Sequence, residues 1–143
     1  MRRSSPLCCD ASIVVHFVTG ADGGTARNLW RQWREDRRRV IAPYLLRYEV
    51  TNALHRLRRS GQATDEGVAE YLRTALLMPI DYDTETSLHE RAMSLASRFN
   101  RPASYDTHYL ALAERERAEF WTADERLFNS VRHHLPWVHL ARV

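Results

Sequence analysis

Apolar residues in this chain gather in two alternating patterns, short unbroken runs and longer segments where they recur at helical spacing. The short runs predict strands at Pro6 to Cys9, Val40 to Ala42, Ile80 to Tyr82, Glu119 to Thr122 and Trp137 to Leu140. Between them lie amphipathic segments. Ala11 to Val18 places Ile13, Val14 and Phe17 together, and Thr25 to Asp36 does the same for Leu29, Trp30 and Trp33. Pro43 is expected to open a helix from Tyr44 to Ser60, whose stripe is Leu46, Val50, Ala53, Leu54 and Leu57 and whose stop is Gly61. Thr64 begins a further helix carrying Val68, Tyr71, Leu72 and Ala75, and Thr84 to Phe99 spaces Leu88, Ala92, Leu95 and Phe99 for burial. A helix opens at Ser104-Tyr105-Asp106 and closes near Arg117, and a last one runs from Asp124 to about His134. Strands alternating with helices predict an α/β fold with a parallel, doubly wound sheet.

The 143 residues, 44% apolar and 27% charged, suit one globular domain spanning residues 1–143. A formal charge of +3 mildly favours an anionic partner. All 21 residues in the Lys+Arg count are arginine, so Schiff-base chemistry and a P-loop lysine are excluded. The five glycines form no phosphate-cradling loop, and the seven histidines show no HExxH spacing. The adjacent Cys8 and Cys9 offer neither a zinc pattern nor a disulfide framework, and are expected to be reduced, buried thiols in a cytoplasmic protein. Met1-Arg2-Arg3 resembles the start of a signal peptide, but Asp10 and His16 interrupt the apolar segment behind it. No stretch approaches the ~20 apolar residues of a membrane span.

Four acids then stand out: Asp10 after the first strand, Glu49 beside an apolar stripe, Asp106 in a first helical turn, and Asp124 after the fourth strand. Asp106 falls inside the apolar arc of Ala103, Tyr109, Leu110 and Ala113, so its carboxylate is expected to face the core. No basic residue lies at helical spacing from it, and a cation from elsewhere is required. Each acid also has an ordinary alternative as a helix cap or a dipole partner. Thr122-Ala123-Asp124-Glu125 reads as a capping box that would leave Asp124 spare. Carboxylates clustered in a low-dielectric cleft need a counter-charge, and Mg²⁺ or Mn²⁺ suits an all-oxygen site. Divalent ions serve phosphodiester hydrolysis, with arginines holding the substrate backbone.

Asp81 and Asp83 are assigned turn and cap roles, His108 a surface or interface position, and Trp30, Trp33 and Trp121 the core. Arg37-Arg38-Arg39 and Arg56, Arg58 and Arg59 are either solvated helix ends or RNA backbone contacts.

The chain resembles the PIN-domain family, and within it the VapC-type ribonuclease toxins of type II toxin–antitoxin pairs. The resemblance rests on Asp10-Ala11-Ser12, on Arg47 to Leu54, on Ser104 to Ala113 and on Thr122 to Leu127, in that order. It implies a three-layer α/β/α sandwich around a mostly parallel, roughly five-stranded sheet. It implies an Mg²⁺- or Mn²⁺-dependent endoribonuclease leaving 5′-phosphate and 3′-hydroxyl ends. By the motif match, Asp10, Glu49, Asp106 and Asp124 would be the catalytic, metal-binding acids, with the hydroxyls of Ser12 and Thr122 supporting them. The partners implied are RNA, a VapB-type antitoxin and a second copy of the chain. Glu125, which a helix turns away from Asp124, is not counted as a ligand. A catalytically inactive PIN-like module that binds RNA or antitoxin is the alternative. A phosphoacceptor receiver domain is excluded by the missing lysine.

Overall fold

A computed structural model describes residues 5–84 and 86–142. The Met1-Arg2-Arg3 start and Glu85, inside the expected Thr84 to Phe99 helix, lie outside the described residues. Five strands form one all-parallel sheet: β1 (Leu7–Cys9), β2 (Val40–Pro43), β3 (Asp81–Asp83), β4 (Glu119–Thr122) and β5 (Val138–Leu140). Their spatial order is β3-β2-β1-β4-β5, so β1 is central and both flanking halves start from it. Among the described residues seven helices connect them: α1 (Ala11–Thr19), α2 (Thr25–Glu35), α3 (Leu45–Arg59), α4 (Asp65–Leu77), α5 (Leu88–Arg98), α6 (Tyr105–Glu116) and α7 (Glu125–Val131). α1, α2, α3 and α4 pack against one another, while α6 covers β1, β2 and β4 and is itself backed by α5. This is the expected three-layer α/β/α arrangement.

β1 and β2 are buried throughout, as strands covered on both faces must be, whereas β3, β4 and β5 keep partly exposed residues. Leu7, Cys8 and Cys9 are wholly inaccessible, as are Ile13, Val14, Leu110 and Phe120 around them. Trp30 and Trp33 belong to the core, and the half-buried Trp121 packs against it. Phe17, Trp30, Trp33 and Trp121 form a chain of ring contacts at 5.7, 5.8 and 5.8 Å between centroids. α3 stops at Gly61, which takes φ +77° and lets Gln62 N–H donate to Leu57 C=O at 3.0 Å.

Several boundaries differ from those the sequence predicts. Pro43 ends β2 rather than opening a helix, and Tyr44 N–H donates to Asp83 C=O at 3.0 Å before α3 begins. β3 continues to Asp83, paired with Pro43, which holds the chain extended up to the point where a helix from Thr84 is expected, and α5 starts at Leu88. Asp81 and Asp83 are therefore strand residues, not turn or cap residues. They pair with Arg39, at 2.7 Å, and with Arg115. α7 ends at Val131 rather than near His134.

Candidate active site

In a doubly wound sheet the loops leaving the central strand and its neighbour diverge, opening a crevice at their carboxyl ends. β1 and β4 are the strands on either side of that divide. Asp10 follows β1 directly and has extended backbone, which makes it the N-cap of α1. Its carboxylate accepts from Ser12 N–H at 3.1 Å, Ile13 N–H at 3.4 Å, the Ser12 hydroxyl, and Thr122 Oγ1 at 2.5 Å. The side chain is buried, and burial is the main reason its pKa rises to about 7. The Ser12 and Thr122 hydroxyls and the Ile13 amide oppose the rise, and the negative charge of Asp106 adds to it.

The two hydroxyls also tie β4 to β1. Ser12 Oγ accepts from Ala123 N–H at 2.9 Å, and Thr122 Oγ1 accepts from Asp124 N–H at 3.0 Å. Thr122 is thus committed to Asp10 and does not cap α7. Asp124 is the cap instead, its Oδ1 accepting from Arg126 and Leu127 N–H at 3.0 and 3.1 Å. The capping-box reading is corrected accordingly: Asp124 is not spare, because a tertiary partner claims the threonine that the local pattern assigns to the cap.

Glu49 projects from α3 and accepts from the Tyr109 hydroxyl of α6 at 2.6 Å. Partial burial raises its pKa, the tyrosine bond opposes this, and the Asp106 charge raises it further. Asp106 lies in the first turn of α6 with its side chain 33% exposed, less deeply placed than its position in the apolar arc predicts. Its Oδ2 is 3.1 Å from Arg101 Nη2. Asp106 therefore acts electrostatically on both Asp10 and Glu49, whereas Asp124 joins the group through Thr122. Among the described residues, no three His, Cys, Asp or Glu side chains converge into a ready-made metal cage. Each acid is held by a partner of its own: Glu49 by Tyr109, Asp106 by Arg101, Asp124 by the amides of α7.

A groove of about 680 Å³ opens beside the acids, with Ser12, Glu49, Asn52 and Arg56 in its walls. Tyr48 and Tyr105 also line it and are 66% and 61% exposed. Two contributors escape a reading by helical spacing. Arg101 precedes the helix that carries Asp106, and Tyr109 counts there only as an apolar residue. His108, expected at the surface or at an interface, is half-buried. Its Nδ1 lies 2.6 Å from Ser104 C=O, and its Nε2 lies 2.8 Å from His89 Nδ1.

The all-parallel sheet sets Asp10 and Asp124 directly beyond the carboxyl ends of its two central strands, each at the start of a helix. The PIN domain family matches residues 7–133, a span containing all four acids, and the chain belongs to that family. PIN domains are generally nucleases and usually use divalent metals. No curated protein matches the chain. No described helix is long and apolar enough to cross a membrane.

Proposed function

We propose that this chain is an Mg²⁺- or Mn²⁺-dependent endoribonuclease and the toxin of a VapBC-type pair, acting as a single domain in the cytoplasm. The observation that carries the reading is that the charge of Asp106 acts on two acids from distant segments, Asp10 and Glu49, while Asp106 itself pairs with Arg101. The donor set fits a hard divalent cation, being oxygen throughout and short of positive charge. Asp10, Glu49, Asp106 and Asp124 would hold the ion, which when bound activates water and offsets charge on the phosphodiester.

The chain's own residues prepare that site. Ser12 and Thr122 fix both oxygens of Asp10, and Tyr109 fixes Glu49. Hydrogen-bonded supports of this kind orient ligands before the ligand arrives. Arg56 in the groove wall offers a charged donor to a backbone phosphate. The partners proposed are RNA, a VapB-type antitoxin covering the groove, and a second copy of the chain.

Purified protein should cleave RNA only with Mg²⁺ or Mn²⁺, and Asp10→Asn and Asp106→Asn should each abolish cleavage without unfolding the chain. Full activity in both variants would reject the assignment. The Asp106–Arg101 pair favours a second reading, a catalytically inactive module that binds RNA or antitoxin. Calorimetric Mn²⁺ titration separates the two, since such a module has no need of metal at these acids.

A further inference from the structure

Arg101 lies between α5 and α6, and its position is set by local backbone chemistry. Asn100 adopts left-handed φ (+50°), and Arg101 N–H donates to Ala96 C=O at 2.9 Å, closing α5. Pro102 comes next, which disfavours helical backbone at residue 101. The side chain is thereby laid against the start of α6. Nη2 meets Asp106 Oδ2 at 3.1 Å and Nη1 meets Ser130 Oγ of α7 at 3.5 Å. It is only 15% exposed, and its Nε is buried without a hydrogen-bond partner. Among the described residues, Arg101 is the only cation in an ion pair with any of the four acids.

A guanidinium cannot shed its charge, so it competes with any other cation for the carboxylate it holds. Asp106 is the acid whose charge reaches both Asp10 and Glu49. We propose that Arg101 is a resident counter-cation that occupies Asp106 in the metal-free protein and sets the affinity of the acidic site for a divalent ion by having to yield that carboxylate. The proposal rests on the metal-binding reading of the acids. Ser130 gives the arginine a remaining contact once it leaves Asp106. Without Arg101 no ion-paired guanidinium stands against an arriving ion at Asp106.

This differs in sign from a merely structural ion pair. Losing a structural pair loosens Asp106 and weakens metal binding, whereas losing a competitor tightens it. Calorimetric Mn²⁺ titration of the full chain should show Arg101→Gln binding about tenfold tighter than wild type, equivalent to about 1.4 kcal/mol. Arg101→Lys, which keeps the charge, should stay nearer to wild type. Equal or weaker binding by Arg101→Gln, with wild type binding normally, overturns the proposal and leaves the metal reading intact. Equal tightening in Arg101→Lys also overturns it. If neither wild type nor Arg101→Gln takes up Mn²⁺, the metal reading falls and this inference with it. Should Arg101→Gln fail to fold, wild-type protein decides: the Arg101 Nε–H resonance should shift in step with added Mg²⁺, and an unmoved signal at saturation overturns the proposal.

Discussion

Replacing Asp10 by asparagine should stabilise the metal-free protein at pH 8 and destabilise it at pH 4. The folded-state pKa is raised from 3.8 to about 7, so between those values the native protein holds a proton that the unfolded chain releases. Stability from this group is therefore fully present below about pH 4 and is lost as pH rises through 7. A rise of about three units corresponds to roughly 4 kcal/mol as an upper bound, at 1.36 kcal/mol per unit. Asparagine escapes that cost because it is never charged. Its own penalty comes from Thr122, whose hydroxyl now donates to Asp10 Oδ2 and would have to accept from the amide instead. Rearranging that bond costs about 1 kcal/mol. The variant should be about 2–3 kcal/mol more stable than wild type at pH 8 and about 1 kcal/mol less stable at pH 4, so the two curves cross. Urea unfolding in EDTA at several pH values measures the difference and cancels the other titrating groups. An Asp10→Asn protein less stable than wild type at pH 8 would refute the burial argument. Saturating Mn²⁺ should favour wild type selectively, by about 2.7 kcal/mol at a hundredfold excess over Kd.

Two further outcomes rest on the partners of the other acids. Asp124→Ala should cost about 1 kcal/mol through loss of the α7 cap while Asp124→Asn costs little, and both should weaken Mn²⁺ binding, since asparagine caps but carries no charge. Identical stability losses in the two variants would show that the cap is unimportant. Tyr109→Phe should destabilise the fold by about 1 kcal/mol and move the Glu49 pKa further up, because the bond favouring its carboxylate is gone. Carboxyl-carbon NMR titration reads the direction, and an unchanged or lowered Glu49 value would contradict it.

The alternation of short apolar runs and helical stripes is enough to place the strands in one parallel sheet, because a helix between successive strands supplies the crossover that parallel pairing needs. Boundaries fail where a neighbour decides the backbone. Asp83 is extended because Pro43 pairs with it, a contact between distant segments that no local propensity encodes. The site shows the same division. Asp10, Glu49 and Asp106 stand out as acids beside apolar surface, and the structure brings their charges within reach of one another. The role of Thr122 is hidden because the local capping pattern is real, yet a buried carboxylate from the first strand end competes for the same hydroxyl. Arg101 escapes because it lies five residues before Asp106, one position beyond the i−3 and i−4 neighbours that helical spacing tests.

The two thiols of β1 give this molecule an internal clock. Cys8 and Cys9 are wholly buried in the innermost strand, and burial, reinforced by the charge of Asp10, holds both far from the reactive thiolate form. An alkylating reagent can reach them only when the central strand is dislodged, which also displaces the adjoining Asp10. The rate of labelling thus counts the openings that dismantle the acidic cleft.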